Sequence, residues 1–221
     1  MKRFVVIGLG RFGSWVGRAL HHQGFDVIAI DRDGDRVDQF SHEVTRAIVG
    51  DASDVEVLRR AGANQADAAV VSTGSDLAAT IMATLALKEL NVPRIVAKVA
   101  SPRDAKAMER FDVDELVFPE REAAERLAYR LASTSVLEYI PLGDKYSIQE
   151  IAIPDGWLGQ PLSELNLPHQ HGIQIVAIFD VLRGTWDVVP SAERLLTESD
   201  VAIVAGPTET LEALMKKGRP R

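Results

Sequence analysis

The chain has 221 residues and a formal net charge of -7, and it contains no cysteine. This length is enough to bury a core in one large lobe or two small ones. The acidic balance argues against a surface built to neutralise nucleic-acid phosphates, and the missing cysteines exclude disulfides, thiolate metal sites and thiol nucleophiles together.

The first apolar run, residues 4–7, is too short for a signal-peptide core and breaks at Gly8, so no export signal is expected. No apolar stretch, residues 175–179 included, approaches the ~20 residues of a membrane-spanning helix. Further Val- and Ile-rich runs fall at residues 27–30, 47–49, 68–71, 95–99 and 116–118. Between them lie helix-like stretches: Trp15, Val16, Ala19 and Leu20 have helical spacing, as do Leu77, Ile81, Thr84, Leu85 and Lys88. Near-continuous apolar strands alternating with helices predict an α/β class, a Rossmann-like parallel sheet covered on both faces, over residues 1–118. From Pro119 the text becomes PEREAAERLAYRLASTSVLEYI, which predicts a crossover helix over 119–139 with Ala123, Leu127, Leu131 and Ala132 on one apolar face. A different rhythm follows over 140–217, with short strands at 146–153, 174–179, 185–189 and 201–205 between turn signals, predicting a small α+β lobe. The tail from Lys216 to Arg221 is expected to fray.

The glycine pattern Gly8-x-Gly10-x-x-Gly13 sits between a strand and a helix, the context in which it reads as a dinucleotide-type phosphate cradle. Gly8 permits the tight turn, Gly10 lets backbone approach a pyrophosphate, and Gly13 allows close helix-on-strand packing. The helix N-terminus adds free N–H groups and partial positive charge. Asp31 ends the second run a little over twenty residues later, where a carboxylate receives ribose hydroxyls and repels a 2′-phosphate; the alternative is a helix cap, a role open to Asp33. Asp51, in VGDAS, falls at the adenine end or caps a helix. The loop Ser72-Thr73-Gly74-Ser75-Asp76 forms the edge of the crevice, unless Ser75 merely caps the next helix. Of the histidines, His21, His22 and His42 are expected to face solvent, and His169-Gln170-His171 reads as a polar loop rather than a metal pair. No serine-hydrolase elbow, P-loop or zincin helix is present, so catalysis has no support in the sequence. A small NAD-dependent oxidoreductase is the alternative that the same glycines and Asp31 would serve.

Taken together, VVIGLGRFG, AIDRD, VGDAS, the stretch ending ADAAVVSTGSD, VFPE and the segment GDKYSIQEIAIP resemble the RCK regulatory subunits of bacterial Ktr and Trk potassium uptake systems. The resemblance implies a cytoplasmic nucleotide-sensing regulator, peripheral at the inner face of the membrane. It further implies homodimers assembled into an octameric ring that docks on a potassium-translocating membrane subunit, with no nucleic-acid role. It assigns Gly8, Gly10 and Gly13 to the phosphates of ATP or ADP, with NAD or NADH as the other ligands of the crevice. Asp31 goes to the ribose and Asp51 to the adenosine side, with Phe12, Arg32, Ala52, Ser72, Thr73 and Gly74 flanking them. Arg11 would fork a terminal phosphate. Glu120 matches a glutamate that holds a divalent or sodium ion near the phosphates, or else it serves the helix's first turn. Lys98 is a further phosphate-side residue, its alternative being an ordinary exposed lysine. Cyclic di-AMP, a ligand of some relatives, would lie nearest Ile173, Ile175, Val176 and Pro190, residues whose default reading is ordinary strand core.

Overall fold

Short β-branched runs become strands when helices cover both their faces, and the first lobe is built in this way. The computed structural model describes residues 1–132 and 136–217, and the chain divides into two units, Met1–Arg121 and Glu122–Arg221.

In the first unit β1 (Arg3–Ile7), β2 (Asp26–Asp31), β3 (Arg46–Val49), β4 (Ala68–Val71), β5 (Ile95–Lys98) and β6 (Glu115–Val117) form one sheet in the order β3-β2-β1-β4-β5-β6. All five pairings are parallel. The connecting helices are α1 (Arg11–His22), α2 (Gly34–Phe40), α3 (Val55–Ala61), α4 (Leu77–Glu89) and α5 (Pro102–Met108). Alternation sends Val5, Ile7, Ile28 and Ile30 into one buried cluster with Leu58 and Leu87, and Val6, Val27 and Ala29 into another with Val37 and Phe40. The strand order reverses between β1 and β4. The loops leaving these two strands therefore part, opening a crevice at the carboxyl ends of the strands.

Two helical faces differ from the periodicity. On α1 the residues buried against the sheet are Gly13 and Gly17, and Trp15 is 67% exposed with the Arg18 guanidinium 4.7 Å from its ring centroid. On α4 the buried face is Thr80, Ala83, Thr84, Ala86 and Leu87, leaving Met82 and Leu85 outside. That helix is apolar nearly all round, so spacing alone does not fix which face turns inward.

The long helix expected over 119–139 is shorter. α6 spans Pro119–Ala132, and Val136–Leu142 is a strand, β7, paired antiparallel with β8 (Tyr146–Ala152). The pairing satisfies backbone groups that a helix would otherwise have to satisfy, and the Ser-Thr-Ser between them, outside the described residues, is poor helix sequence. The second unit continues with α7 (Leu162–Leu165), α8 (Leu167–His171), β9 (Gln174–Asp180), β10 (Thr185–Val188), β11 (Asp200–Pro207) and α9 (Thr208–Lys217). Its antiparallel sheet runs β10-β9-β11-β8-β7 over a core of Ile151, Trp157, Ile175, Ile178, Val204 and Leu211. Lys216 and Lys217 are helical rather than frayed, and the remainder of the expected loose tail, residues 218–221, lies outside the described residues.

Candidate functional site

The turn after β1 is set by two hydrogen bonds and two glycines. Gly8 N–H donates to the Ile30 carbonyl at 2.8 Å, and Ser72 N–H donates to the Ile7 carbonyl at 2.7 Å. Gly8 has φ +89°, and a Cβ there would stand 2.1 Å from the Ser72 carbonyl oxygen; at Gly13 it would stand 1.9 Å from the Gly8 oxygen. The fold itself therefore requires these two glycines. Gly10 is different, because a Cβ there meets nothing within 4 Å. The space beside it is the crevice, a cleft of about 440 Å³.

Helix α1 opens on that cleft without a side-chain cap and with no acid in its first turn. The neighbouring helices are all capped, α2 by Asp33, α3 by Asp54, α4 by Asp76 and α5 by Ser101. The capping alternatives for Asp31, Asp51 and Ser75 are thereby removed, since other residues do that work. The free N–H groups at the start of α1 face space fit for an anion.

Asp31 lies at the other side of the glycine turn with its side chain 10% exposed. Its Oδ2 accepts from Leu9 N–H at 2.6 Å and its Oδ1 from Asp33 N–H at 2.9 Å. Each oxygen keeps further acceptor capacity, and Asp31 lines the cleft. Asp51 Oδ1 accepts from the Ser53 hydroxyl at 2.7 Å, from Arg32 Nη2 at 2.8 Å and from Ser53 N–H at 2.9 Å. The Ser53 hydroxyl first, then Arg32, lower the carboxyl to about 2. None of these three bonds falls on Oδ2, so an acceptor ionised at neutral pH is left at the cleft edge.

At the opposite end the Lys98 side chain is only 12% exposed, and its ammonium is hydrogen-bonded to the Glu120 carboxylate on the first turn of α6. Lys98 is thus not the ordinary exposed lysine of the alternative reading. Lys98 above all, with the Glu120 N–H and the field of Arg11, holds the Glu120 carboxyl below its usual range.

Gly8, Gly10, Arg11, Phe12, Asp31, Arg32, Asp51, Ala52, Ser72, Thr73, Gly74 and Lys98 all line the one cleft. Gly13 packs behind the turn instead, and Glu120 reaches the cleft through Lys98. The Glu120 carboxylate, the group expected to hold a cation, takes the Lys98 ammonium on Oε1. Among the described residues no three His, Asp or Glu side chains converge on a metal position. His169 and His171 lie on α8, and His21 is half-buried rather than solvent-facing. Ile173 and Ile175 are core residues, 1% and 4% exposed, so they share no open surface with Val176.

Arg36 was not visible as a site residue. It lines the cleft from α2, with Nη1 3.8 Å from Asp31 Oδ2 and Nε 3.3 Å from Asp33 Oδ2. Its position in the first turn of the helix that follows the ribose acid was the available signal.

Residues 4–119 match the TrkA-N domain family and residues 148–217 the TrkA-C domain family. The Ktr system potassium uptake protein C of Bacillus subtilis (strain 168) is 35% identical over 98% of this chain and 97% of its own. The Ktr system potassium uptake protein A of the same organism is 30% identical over the same shares. A crystal structure of the GsuK RCK domain superposes with a TM-score of 0.65 at 18% identity, over 99% of this chain and 48% of that one. The chain thus spans about half the length of that structure. No helix among the described residues is long and apolar enough to cross a membrane.

Proposed function

The chain belongs to the family that joins a TrkA-N domain to a TrkA-C domain, and from that premise we propose that it is a nucleotide-sensing regulatory subunit of a Ktr-type potassium uptake system. The observation that carries this reading is the uncapped α1 N-terminus at Gly10, opening on a cleft with an acid at one end and cations at the other. An adenine nucleotide matches that order. Phosphates meet the N–H groups of the turn, ribose hydroxyls donate to Asp31, and the adenine amine donates to Asp51 Oδ2. ATP adds one terminal phosphate to ADP, and Arg11 and Lys98 are the cations placed for it.

A ligand moves a conformational equilibrium only through unequal affinity for the two states. ATP and ADP sharing one cleft, but differing in their contact with Arg11 and Lys98, provide such a difference. Lys98 also bonds Glu120 at the start of α6, so a phosphate competing for the ammonium would loosen that helix's first turn. The exposed Leu127 and Leu131 on α6 support a homodimer as the unit of a ring, and a potassium-translocating membrane protein is the partner on which that ring would act. Hydride transfer draws less support, since the described lining of the cleft includes no His or Tyr.

Calorimetric titration with ATP, ADP, NAD and NADH tests the reading. ATP and ADP should bind with unequal affinity, and potassium flux through the reconstituted partner should differ between them. Tight binding of NAD alone would overturn it.

A further inference from the structure

A second cleft lies at the opposite, amino-terminal end of the first unit's sheet, about 400 Å³ in volume, lined by Arg3, Asp26, Thr45, Arg46, Gly62 and Gln65 among others. The strand register explains why these residues meet. Arg3 pairs with Asp26 and Ile28 with Arg46, and Asp26 and Ile28 are two residues apart on β2. Paired residues of a sheet share a face and alternate residues return to it, so all four project to the α3 side. The turn after α3 closes the cleft. Gly62 ends that helix in the left-handed region at φ +91°, and a Cβ there would lie 3.5 Å from Arg3 Nη1.

The donors in this cleft are held ready by neighbours that leave other hydrogens free. Arg3 donates from Nε to Asp26 Oδ2 at 2.7 Å and from Nη1 to Gln65 Oε1 at 2.7 Å. Those bonds fix the guanidinium plane and leave Nη2 uncommitted. Because Gln65 is oriented by its oxygen, its amide N–H groups remain to donate. Thr45 Oγ1 accepts from Val27 N–H at 3.0 Å, so its O–H is likewise free. Arg46 has no ion pair among the described residues. Within the lining Asp26 offsets one of the two arginines, leaving one net positive charge, while Asp67, which accepts from Arg3 N–H at 2.7 Å, stands outside that lining.

We propose that this cleft binds a small phosphate-type oxyanion, held by Arg46 and Arg3 with Thr45 and Gln65 as neutral donors, at a site separate from the nucleotide cleft. The free Arg46 guanidinium fork, the uncommitted Nη2 of Arg3 and the hydroxyl and amide donors match a tetrahedral oxyanion, and the ligand needs no nucleoside, since no base-sized apolar wall is present in the lining. The site sits at the far end of the sheet from Gly8, Asp31 and Asp51, so it does not depend on the nucleotide reading.

The test titrates the intact protein with inorganic phosphate at constant ionic strength against chloride, following backbone amide signals. The signals of Arg46, Gly62 and Gln65 should shift at millimolar phosphate, separately from those of Gly8 and Gly10. Arg46→Gln should weaken that response about tenfold, the loss of one charge-assisted contact, with ADP binding unchanged. Arg46→Lys should restore it in part. Absence of any phosphate response at Arg46, Gly62 and Gln65 in the wild type would overturn the proposal, as would an equal response in Arg46→Gln. Should Arg46→Gln fail to fold, the wild-type signals and Arg46→Lys decide the question.

Discussion

Asp31 Oδ2 accepts a hydrogen bond from Leu9 N–H at 2.6 Å, so the acid assigned to the ribose also ties the glycine turn to the end of β2. The same carboxylate serves fold and ligand. Asp31→Ala should therefore weaken ATP and ADP alike by about tenfold or more, and should also lower stability by about 1 to 3 kcal/mol through the orphaned N–H groups. Paired calorimetry and urea denaturation check both halves. Full stability with full affinity would remove Asp31 from the site.

The three glycines of the turn separate under substitution. A Cβ at Gly8 or Gly13 collides with backbone that cannot yield, so Gly8→Ala and Gly13→Ala should each cost about 3 kcal/mol or more. Gly10→Ala should fold normally, because the added methyl projects into open cleft, and it should lose nucleotide affinity. Thermal melts alongside ADP titrations distinguish the two classes. An unfolded Gly10→Ala protein would show that this glycine, too, belongs to the fold.

The parallel sheet and its glycine turn were legible because buried strands write themselves as uninterrupted Val and Ile, and because a strand–turn–helix context constrains glycine at fixed spacing. Asp31, Asp51 and Lys98 could be placed at strand ends for the same reason. The strand Val136–Leu142 was not legible, since Tyr139 and Ile140 suit either a helical or an extended run and only pairing with β8 decides. Arg36 escaped because it reaches the cleft from the first turn of a helix, a direction that depends on how α2 packs. Ile173 and Ile175 are core residues, as their apolar context gives by default.

Asp51 predicts base selection and its pH range. With Oδ1 held by Ser53 and Arg32, its Oδ2 accepts from an adenine amine but opposes a guanine carbonyl, so ADP should bind about tenfold or more tightly than GDP. Asp51→Asn should narrow that ratio, because an amide can donate to guanine. The folded carboxyl lies near 2, below the ordinary value near 4. A depressed acid contributes stability that is complete above the unfolded value and lost as pH falls through the folded one. Adenine preference should therefore hold from pH 8 down to about 4, as nucleotide titrations across that range would establish.

On α6, Leu127 and Leu131 are one turn apart, 47% and 77% exposed; the Ala132 side chain expected beside them lies outside the described residues. An apolar stripe of this kind is a normal self-association surface. Leu127→Asp with Leu131→Asp should reduce the assembly to a smaller species in multi-angle light scattering and leave ADP affinity within about threefold of the wild type. An unchanged mass would place the dimer contact elsewhere.

Arg11 predicts discrimination rather than general affinity. It lines the cleft near Lys98, and its field already acts on Glu120, the acid bonded to that lysine. A guanidinium fork on the terminal phosphate of ATP is worth about 1.5 to 3 kcal/mol, a factor of roughly ten to a hundred or more. Arg11→Ala should therefore lose the preference for ATP while ADP changes little, and Arg11→Lys should recover it only in part, because a point charge lacks the fork. Glu120→Gln should act in the opposite direction. Removing the carboxylate frees the Lys98 ammonium, so ATP should gain more than ADP. Paired ATP and ADP titrations of the wild type and the three variants measure every difference. Equal losses for both nucleotides in Arg11→Ala would move Arg11 to the shared phosphates, and a gain in Glu120→Gln alone would leave Lys98 as the residue that reads the terminal phosphate.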